Sequence, residues 1–424
     1  MSYEEFMPDA FPRWALVHYH LDPAEITDVA DAVAAAFAAA PPDAIKPGQR
    51  VCLTGGSRGI DRIDLVLKAA VAEVRRRGAE PFIIPAMGSH GGATAEGQLE
   101  VLASYGITQE TMGCEIRSSM ETVELGHVEE GVPVFIDRNA YEGADVIIPV
   151  NRVKPHTDFH GPVESGLMKM IAIGLGKQKG ADTFHGQGFA VFHRLIPAVG
   201  RHTLSKVNIP FGLALVENAH ARLAQIEAVP SDRIWEREQE LLKEARAKMA
   251  RLPVAEVDVL ILDYIGKDIS GLGMDSNVVG RYYTGPTGMG PEIQRIVVRD
   301  LTPETEGNAV GIGMADVVLR QAVAKMDTHK TYMNCITAKT PEGARVALTV
   351  DTDREALAVA LACCLKVQPS SARVIRMKDT KHLERFYASE SLLPELLATG
   401  RCEVIEPLHP IGFDVFEMLS DKEV

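Results

Sequence analysis

The sequence is poor in the features of secreted, membrane-spanning and nucleic-acid-binding proteins. Its 424 residues include only six cysteines, and none form a C-x-x-C pair or a zinc-type spacing, which disfavours a disulfide framework, a cysteine-ligated zinc site or an iron–sulfur cluster. No apolar run reaches the roughly 18 residues of a membrane-spanning helix. The net charge of −14 disfavours non-specific nucleic-acid binding, which needs a basic surface. We expect a cytoplasmic protein whose partner is a small molecule, with no membrane or nucleic acid.

The remaining composition is that of a globular protein of two domains, with 46% hydrophobic and 24% charged residues. Strand-like runs at residues 49–56, 81–87 and 144–153 alternate with amphipathic helical segments. This order is typical of a parallel sheet with crossover helices. Ligands bind at the carboxyl ends of such strands, so the three strand ends are the places to look for a site.

The second half repeats the alternation after a charged helix over residues 231–252. We predict an α/β protein of two domains with mainly parallel sheets and the active site in the cleft between them. Residues 1–252 form the catalytic and cofactor-binding domain, and residues 253–404 form a second domain that closes over the substrate. Whether the tail, 405–424, returns to the first domain is left open. Residues 313–326 are predicted to be helical.

The turn Thr54–Gly59, "TGGSRG", resembles the dinucleotide-binding turn of short-chain dehydrogenases. However, Asp61 stands where the third glycine of the fingerprint is needed for close helix–strand packing. None of the nine tyrosines has the lysine four residues later that those enzymes use. What remains is a turn rich in amides, with Ser57 and the Arg58 guanidinium available to an anion. An ordinary strand-to-helix turn is the alternative.

Histidines and one lysine cluster after the other two strand ends. His90 lies between glycines in "MGSHGG", where little can pack against it, and the run 151–185 contains His156, His160, Lys169 and His185. Lys169 lies in a mostly apolar segment, and lysine is rarely buried without a partner. A lysine whose amine reaches solvent from a helix edge is the alternative.

These motifs resemble those of the lactate racemase family, whose members use a nickel-pincer nucleotide, over roughly residues 45–220. The resemblance implies that His90, in Gly88-Ser89-His90, is a catalytic base. It implies that Lys169 in "ESGLMK" holds the cofactor, pyridinium-3-thioamide-5-thiocarboxylic acid mononucleotide, through a thioamide. His185, sixteen residues later, matches the Ni²⁺ ligand. His156 is the preferred second catalytic histidine, and His160 is the alternative.

The resemblance also assigns binding residues. Arg58 matches the arginine of an Asp-x-x-Arg stretch that contacts cofactor or substrate, with Ser57 beside it, although Gly55 replaces the aspartate. In the second domain, the residues expected to hold the substrate carboxylate are Gln321, Lys325 and Lys267.

The sequence therefore leads to one hypothesis and two alternatives. The hypothesis is an isomerase, a racemase or epimerase that inverts C2 of a 2-hydroxy acid by transient hydride transfer to a lysine-tethered nickel-pincer nucleotide, with two histidine bases. The alternatives are an NAD-type oxidoreductase and a non-catalytic nucleotide-binding carrier. Which 2-hydroxy acid or sugar acid would be the substrate is open.

Overall fold

The computed structural model describes residues 3–56, 59–128, 131–157, 159–283, 285–287, 289–420 and 424. Ser57 and Arg58, predicted to bind the cofactor, lie outside the described residues. The chain forms two compact units. We call Asp22–Met249 the central unit, and Met1–Leu21 together with Ala250–Val424 the terminal unit.

The strands are numbered in chain order. Strands β1 to β10 are Arg13–Tyr19, Arg50–Gly55, Glu80–Pro85, Glu115–Ile116, Thr122–Val128, Val132–Asp137, Val146–Ile148, Val150–Arg152, Phe211–Glu217 and Leu223–Pro230. Strands β11 to β19 are Glu256–Ile265, Arg281–Tyr282, Gly285–Pro286, Glu292–Leu301, Val317–Leu319, Leu348–Val350, Val374–Met377, Arg385–Ser389 and Cys402–Pro410.

The α-helices are numbered in the same way. Helices α1 to α7 are Val29–Ala39, Ile63–Arg76, Ala95–Ser104, Gln109–Met112, Arg138–Gly143, Leu167–Lys169 and Lys177–Gln187. Helices α8 to α14 are Phe192–Leu204, Ile234–Lys248, Ser276–Val279, Arg320–Lys325, Thr328–Ala338, Asp353–Ala362 and Leu393–Ala398. A π-helical turn, Met170–Gly174, follows α6.

The central unit is built on a parallel sheet in the order β4-β3-β2-β7. Both faces of this sheet are covered: Val51 and Leu53 of β2 pack into the cluster that contains α1 and α2, whereas Cys52 packs into the cluster that contains α7 and α8. Burial on both faces explains why β2 is an almost continuous apolar run. The predicted α/β class with mainly parallel sheets is confirmed.

One predicted strand of the central unit is two strands. Residues 144–153 were expected to form a single strand, but β7 ends at Ile148 and β8 begins at Val150. β7 pairs with β2, and β8 pairs with β9 in a separate sheet. Pro149 lies between them, and proline cannot donate a ladder hydrogen bond. The chain therefore changes sheets at this residue.

The terminal unit contains an eight-stranded sheet in the order β16-β15-β14-β11-β17-β18-β1-β19. The strands from β16 to β17 are parallel, and β18, β1 and β19 are antiparallel to their neighbours. Because β1 pairs with β18 and β19, residues 1–21 belong to this unit rather than to the unit in which the sequence placed them. The tail strand β19 pairs with β1 in the same sheet.

The predicted helix 313–326 is wrong over its first half. Val317–Leu319 form β15, which lies between β14 and β16 and is fully buried. Two valines and a leucine suit such a strand because β-branched side chains pack well on a pleated surface. The helix α11 begins only at Arg320. Within the described ranges, no helix combines the length and apolarity needed to cross a bilayer.

Candidate functional site

The predicted strand ends meet one buried segment of the central unit, residues 166–174. A Cβ on Gly56, just after β2, would lie 3.4 Å from Met170 Cε. Asn151 of β8 donates a 2.7 Å hydrogen bond from Nδ2 to the carbonyl oxygen of Gly166. The chain after β2 and the strand β8 therefore both lie against the segment that carries Lys169, although β2 and β8 belong to different sheets.

Lys169 lies at the end of α6, beside His156. Its Nζ is hydrogen-bonded to His156 Nε2. The His156 ring lies 4.4 Å from the ring of Phe159, and Lys169 Nζ lies 5.9 Å from the centre of the same ring. An aromatic face attracts a nearby ammonium group, while a neutral imidazole can accept its proton. Two of the sequence-predicted residues are thus in direct contact.

His185 joins this group through a second aromatic ring. It lies on α7, and its ring centre is 5.8 Å from that of Phe192. Phe192 in turn packs 5.4 Å from Phe159, at an angle of 62°. The structure therefore arranges His156, Lys169 and His185 around one pair of phenylalanines, which we call the aromatic pair.

A buried carboxylate organises the loop before Lys169. Glu164 is fully buried, and its Oε2 accepts a 2.6 Å hydrogen bond from the backbone amide of His156. Its Oε1 lies 3.3 Å from His160 Nδ1 and accepts hydrogen bonds from Gly161 N and Arg246 Nη2. His160 is therefore held by a carboxylate, whereas His156 contacts Lys169. Sequence reasoning did not single out Glu164, although it lies inside the run that was quoted.

His90 lies in the turn after β3, and hydrogen bonds from Gln98 hold the backbone of this turn. The His90 side chain is exposed. Gln98 Nε2 donates to the carbonyl oxygens of Gly88 at 2.9 Å and His90 at 3.2 Å. Gly88 has φ +59°, and a Cβ there would lie 3.3 Å from Ala181 Cβ. Because Ala181 precedes His185 on α7, the turn that carries His90 packs against the helix that carries His185.

A buried lysine connects α7 to the same turn. Lys177, the first residue of α7, is fully buried, and its Nζ donates to Gln98 Oε1 at 2.5 Å and to Pro85 O at 2.9 Å. It also lies 3.4 Å from Oδ2 of Asp137, which is fully buried as well. Burial lowers the pKa of Lys177 and raises the pKa of Asp137, although each charge favours the other.

A second buried carboxylate contacts α6 directly. Glu238 of α9 is fully buried, and its Oε2 accepts a 2.9 Å hydrogen bond from the amide of Met168. A Cβ on Gly166 would collide with this carboxylate, so glycine is needed there. Burial raises the pKa of Glu238 to about 8, although the amides of Met168 and Leu167 act in the opposite direction. A largely protonated glutamate therefore supports the helix that carries Lys169.

Asp61, which replaces the third fingerprint glycine, has an anchoring role. Its carboxylate accepts a 3.0 Å hydrogen bond from the amide of Leu223 and pairs with Arg222 at 3.1 Å. Burial would raise the pKa of Asp61, but these bonds and Arg62 hold it below its usual value. The Asp61 amide itself donates to Glu217 Oε1 at 2.9 Å. An amide near the start of α2 is thus occupied by a carboxylate of the same chain.

The substrate-binding residues predicted in the terminal unit have contacts of their own. Gln321 Nε2 donates to the carbonyl oxygen of Arg299 at 3.2 Å, and Lys325 Nζ to Asp300 Oδ2 at 2.5 Å. Lys267 Nζ donates to the carbonyl oxygen of Gly271 at 2.7 Å. Gln321 and Lys325 share the short helix α11. Their role towards a substrate stays a prediction.

Comparisons with known proteins give a fold-level result. No family model and no curated protein matches the sequence. A crystal structure of a Thermotoga maritima protein from the Northeast Structural Genomics Consortium is similar, with a TM-score of 0.52 and 14% identity over 78% of this chain and 89% of that chain. This likeness supports the α/β fold alone.

The lactate racemase apoprotein from Thermoanaerobacterium thermosaccharolyticum also aligns. The match covers 91% of this chain and 87% of that chain, at 14% identity and a TM-score of 0.44. A likeness at this TM-score carries no argument about fold or function.

Proposed function

We propose that the chain is a racemase or epimerase that inverts C2 of a 2-hydroxy acid. The observation that carries this proposal is the arrangement of His156, Lys169 and His185 around the aromatic pair. The sequence resemblance assigns these residues to proton transfer, cofactor attachment and nickel ligation. Their positions in the fold support that assignment because the three roles require neighbouring side chains.

The chemistry of these side chains fits a lysine-tethered nickel-pincer nucleotide. Covalent attachment requires a neutral amine, and the His156 imidazole beside Lys169 Nζ can take the ammonium proton. Imidazole is a good ligand for Ni²⁺, and His185 supplies one across Phe192. When bound, the cofactor would supply a transient acceptor for the C2 hydride, which avoids a carbanion next to the carboxylate.

His90 and His156 are the proposed bases for the proton of the C2 hydroxyl. An ordinary imidazole titrates at about pH 6.5, so it can take and return a proton near neutrality. Two bases would allow both enantiomers to react. His160 is the alternative to His156, since Glu164 can hold the proton on His160 Nδ1 and leave Nε2 as the acceptor.

A cationic or amide group must hold the substrate carboxylate while C2 becomes planar. Arg58, in the turn after β2, is proposed for this carboxylate or for the cofactor's phosphate, with Ser57 beside it. Gln321, Lys325 and Lys267 are proposed for the carboxylate from the terminal unit. Lys325 would have to exchange its ion pair with Asp300 for the substrate.

One observation disfavours the NAD-type alternative. In a dinucleotide fold, the amides that open the helix after the glycine-rich turn face a pyrophosphate. Here the Asp61 amide donates to Glu217 and is not available to a phosphate group. An ion pair with Arg152 holds the Glu217 carboxylate in place.

The test begins with protein expressed in a host that makes the pincer nucleotide. We expect mass spectrometry to find a cofactor adduct on the Lys169 peptide together with bound nickel, and no adduct in Lys169→Arg. Unmodified Lys169 in such protein would overturn the proposed cofactor.

The same preparation should invert a C2-deuterated 2-hydroxy acid, detected by chiral chromatography, with the deuterium retained at C2. A preparation that carries the adduct but inverts none of a broad panel would contradict the proposed activity.

Base variants separate an enzyme from a carrier. We expect His90→Asn to keep the adduct and to lower kcat by about a hundredfold or more, the usual contribution of a general base. His156→Asn should lower kcat to the same extent in the fraction that carries the adduct, and it should also slow attachment to Lys169 because the amine loses its proton acceptor. If kcat for inversion falls in His160→Asn and not in His156→Asn, His160 is the second base instead of His156. A carrier would bear the adduct in the wild type and in His90→Asn and would show no inversion in either.

A further inference from the structure

The terminal unit carries a cluster of metal-ligating side chains on its sheet. Nδ1 of His18 lies 3.2 Å from Oε1 of Glu403, and Nε2 of His20 lies 3.3 Å from the same oxygen. All three ligand atoms lie within 4.8 Å of one another. We call these residues the His–Glu cluster. No residue of the proposed racemase chemistry belongs to it.

Strand geometry explains why these three side chains meet. His18 lies in β1, and His20 directly follows the last residue of that strand, Tyr19. Residues two apart in an extended chain point to the same face. The rings of His18 and His20 lie 4.4 Å apart. Glu403 of β19 is directly opposite His18 in the antiparallel register. Side chains in opposite positions of such a pair are close neighbours on one face.

Competing groups near the cluster are few among the described residues. Tyr19, between the two histidines, points to the other face, and the Arg401 guanidinium lies 5.0 Å over its ring. Cys402 alternates with Glu403 and is buried. Arg385 lies opposite His18 on β18 and so shares the face of the cluster. Arg401 Nε donates to the carbonyl oxygen of His20 at 3.2 Å.

The distances fit a metal site, and without an ion the 3.2 Å separation of His18 Nδ1 from Glu403 Oε1 is that of a hydrogen bond. Zinc bonds to imidazole nitrogen and carboxylate oxygen are roughly 2.0–2.2 Å long. In a tetrahedron such bonds place neighbouring ligand atoms about 3.4 Å apart. The separations of 3.2 and 3.3 Å from Glu403 to the two imidazoles agree with that spacing. Ordinary exposed ion pairs would hold the three groups only weakly.

We propose that the His–Glu cluster binds a borderline divalent cation such as Zn²⁺. The ligands are His18 Nδ1, His20 Nε2 and one carboxylate oxygen of Glu403, and the remaining position is open to water. Imidazole and carboxylate together suit zinc and its neighbours better than Mg²⁺ or Ca²⁺, which prefer oxygen. The bound ion would join β1 to the sheet-edge strand β19, so it links the first and last strands of the chain.

Zinc titration of the chelator-treated, reduced, full-length chain tests the proposal. We expect calorimetry to show one more equivalent of Zn²⁺ bound by the wild type than by His20→Gln or Glu403→Gln. Because the ion binds only the folded chain, zinc should also raise the Tm of the wild type more than that of either variant. Circular dichroism of the metal-free proteins checks that the exposed substitutions leave the fold intact.

Two controls locate the ion. His409→Gln removes a half-buried imidazole from β19 outside the cluster and should retain the extra equivalent. His185→Gln should retain it too, which separates this site from the proposed nickel ligand. Co²⁺ should give ligand-field absorption that is lost in His20→Gln and lacks the thiolate charge-transfer band that cysteine binding would produce. Equal zinc stoichiometry in the wild type, His20→Gln and Glu403→Gln, or cobalt spectra with the thiolate band alone, would overturn the proposal.

Discussion

The two units bury charge in different ways. In the terminal unit, Arg376 and Asp263 form an ion pair in which each side chain is 1% exposed. Arg299 pairs with the same aspartate and with Asp353. These side chains connect the neighbouring strands β11, β14 and β17 with the start of α13, so the network joins regular elements to one another.

In the central unit, buried polar side chains bond to turns and loops. Glu164 holds the amide of His156, and Glu238 holds the amide of Met168 next to Lys169. Lys177 bonds to Gln98, which supports the turn that carries His90. Buried charge alone therefore does not mark a functional site. What the buried group is bonded to distinguishes the two cases, since in the central unit these groups hold the segments that carry the proposed site residues.

The largest expected stability effect is in the terminal unit. Asp263→Asn removes the carboxylate that compensates Arg376 in the core. Breaking a buried pair by removing one partner costs about 3–5 kcal/mol, so we expect a loss of that size in the free energy of unfolding, measured with urea. Asp351→Asn, which affects the exposed pair with Arg320, is the control and should change stability by less than about 1 kcal/mol. An equal loss of unfolding free energy in both variants would show that the buried pair stabilises the unit no more than the exposed pair does.

Lys177→Met should affect both stability and activity. It leaves the buried Asp137 without its cation and Gln98 without a donor, at a cost of about 1–3 kcal/mol. We expect a smaller loss than for Asp263→Asn because burial already raises the pKa of Asp137, and a protonated Asp137 needs no cation. Because Gln98 supports the His90 turn, we also expect a lower kcat for inversion with the Lys169 adduct retained. Lys179→Met, two residues further along α7 and exposed, is the matched control. A stability loss with unchanged kcat would show that Lys177 has the same structural role as the ion pairs of the terminal unit.

Glu238→Gln should alter the pH dependence of stability. Burial raises the Glu238 pKa from 4.5 to about 8, so the folded chain holds a proton that the unfolded chain releases. The stability linked to this proton is complete below about pH 4.5 and is lost as pH rises towards 8. We expect the wild type to lose stability relative to Glu238→Gln across that range in urea unfolding. Glu240→Gln, on the exposed side of the same helix, should run parallel to the wild type; a similar change in both variants would contradict the assignment to Glu238.

The smallest stability effect is expected at Lys325. Its ion pair with Asp300 is 55% exposed on the lysine side, and exposed pairs contribute about 0–1 kcal/mol. Lys325→Met should therefore leave urea unfolding nearly unchanged. If Lys325 also holds the substrate carboxylate, KM for the 2-hydroxy acid should rise with kcat less affected. An unchanged KM would limit Lys325 to its pair with Asp300.

Local sequence patterns predicted much of the secondary structure of the central unit, but few of its strand pairings and buried side-chain contacts. The alternation of strands and helices predicted the parallel sheet, and the strand-end positions of His90 and His156 were readable from neighbouring residues. The separation of β7 from β8 also had a local signal in Pro149, which was missed. Glu164 and Glu238 were not found because a glutamate in a loop or on a charged helix gives no sign of its burial.

The sequence by itself determined the α/β class, the strand-end turns and the spacing of Lys169 and His185, because each depends on residues close together in the chain. Tertiary structure alone decided which of these residues meet. The contact of Lys169 with His156, the aromatic pair and the pairing of β1 with β19 all join segments that are distant in sequence or on different elements. Such pairings depend on which apolar faces pack together, and no local pattern specifies that choice.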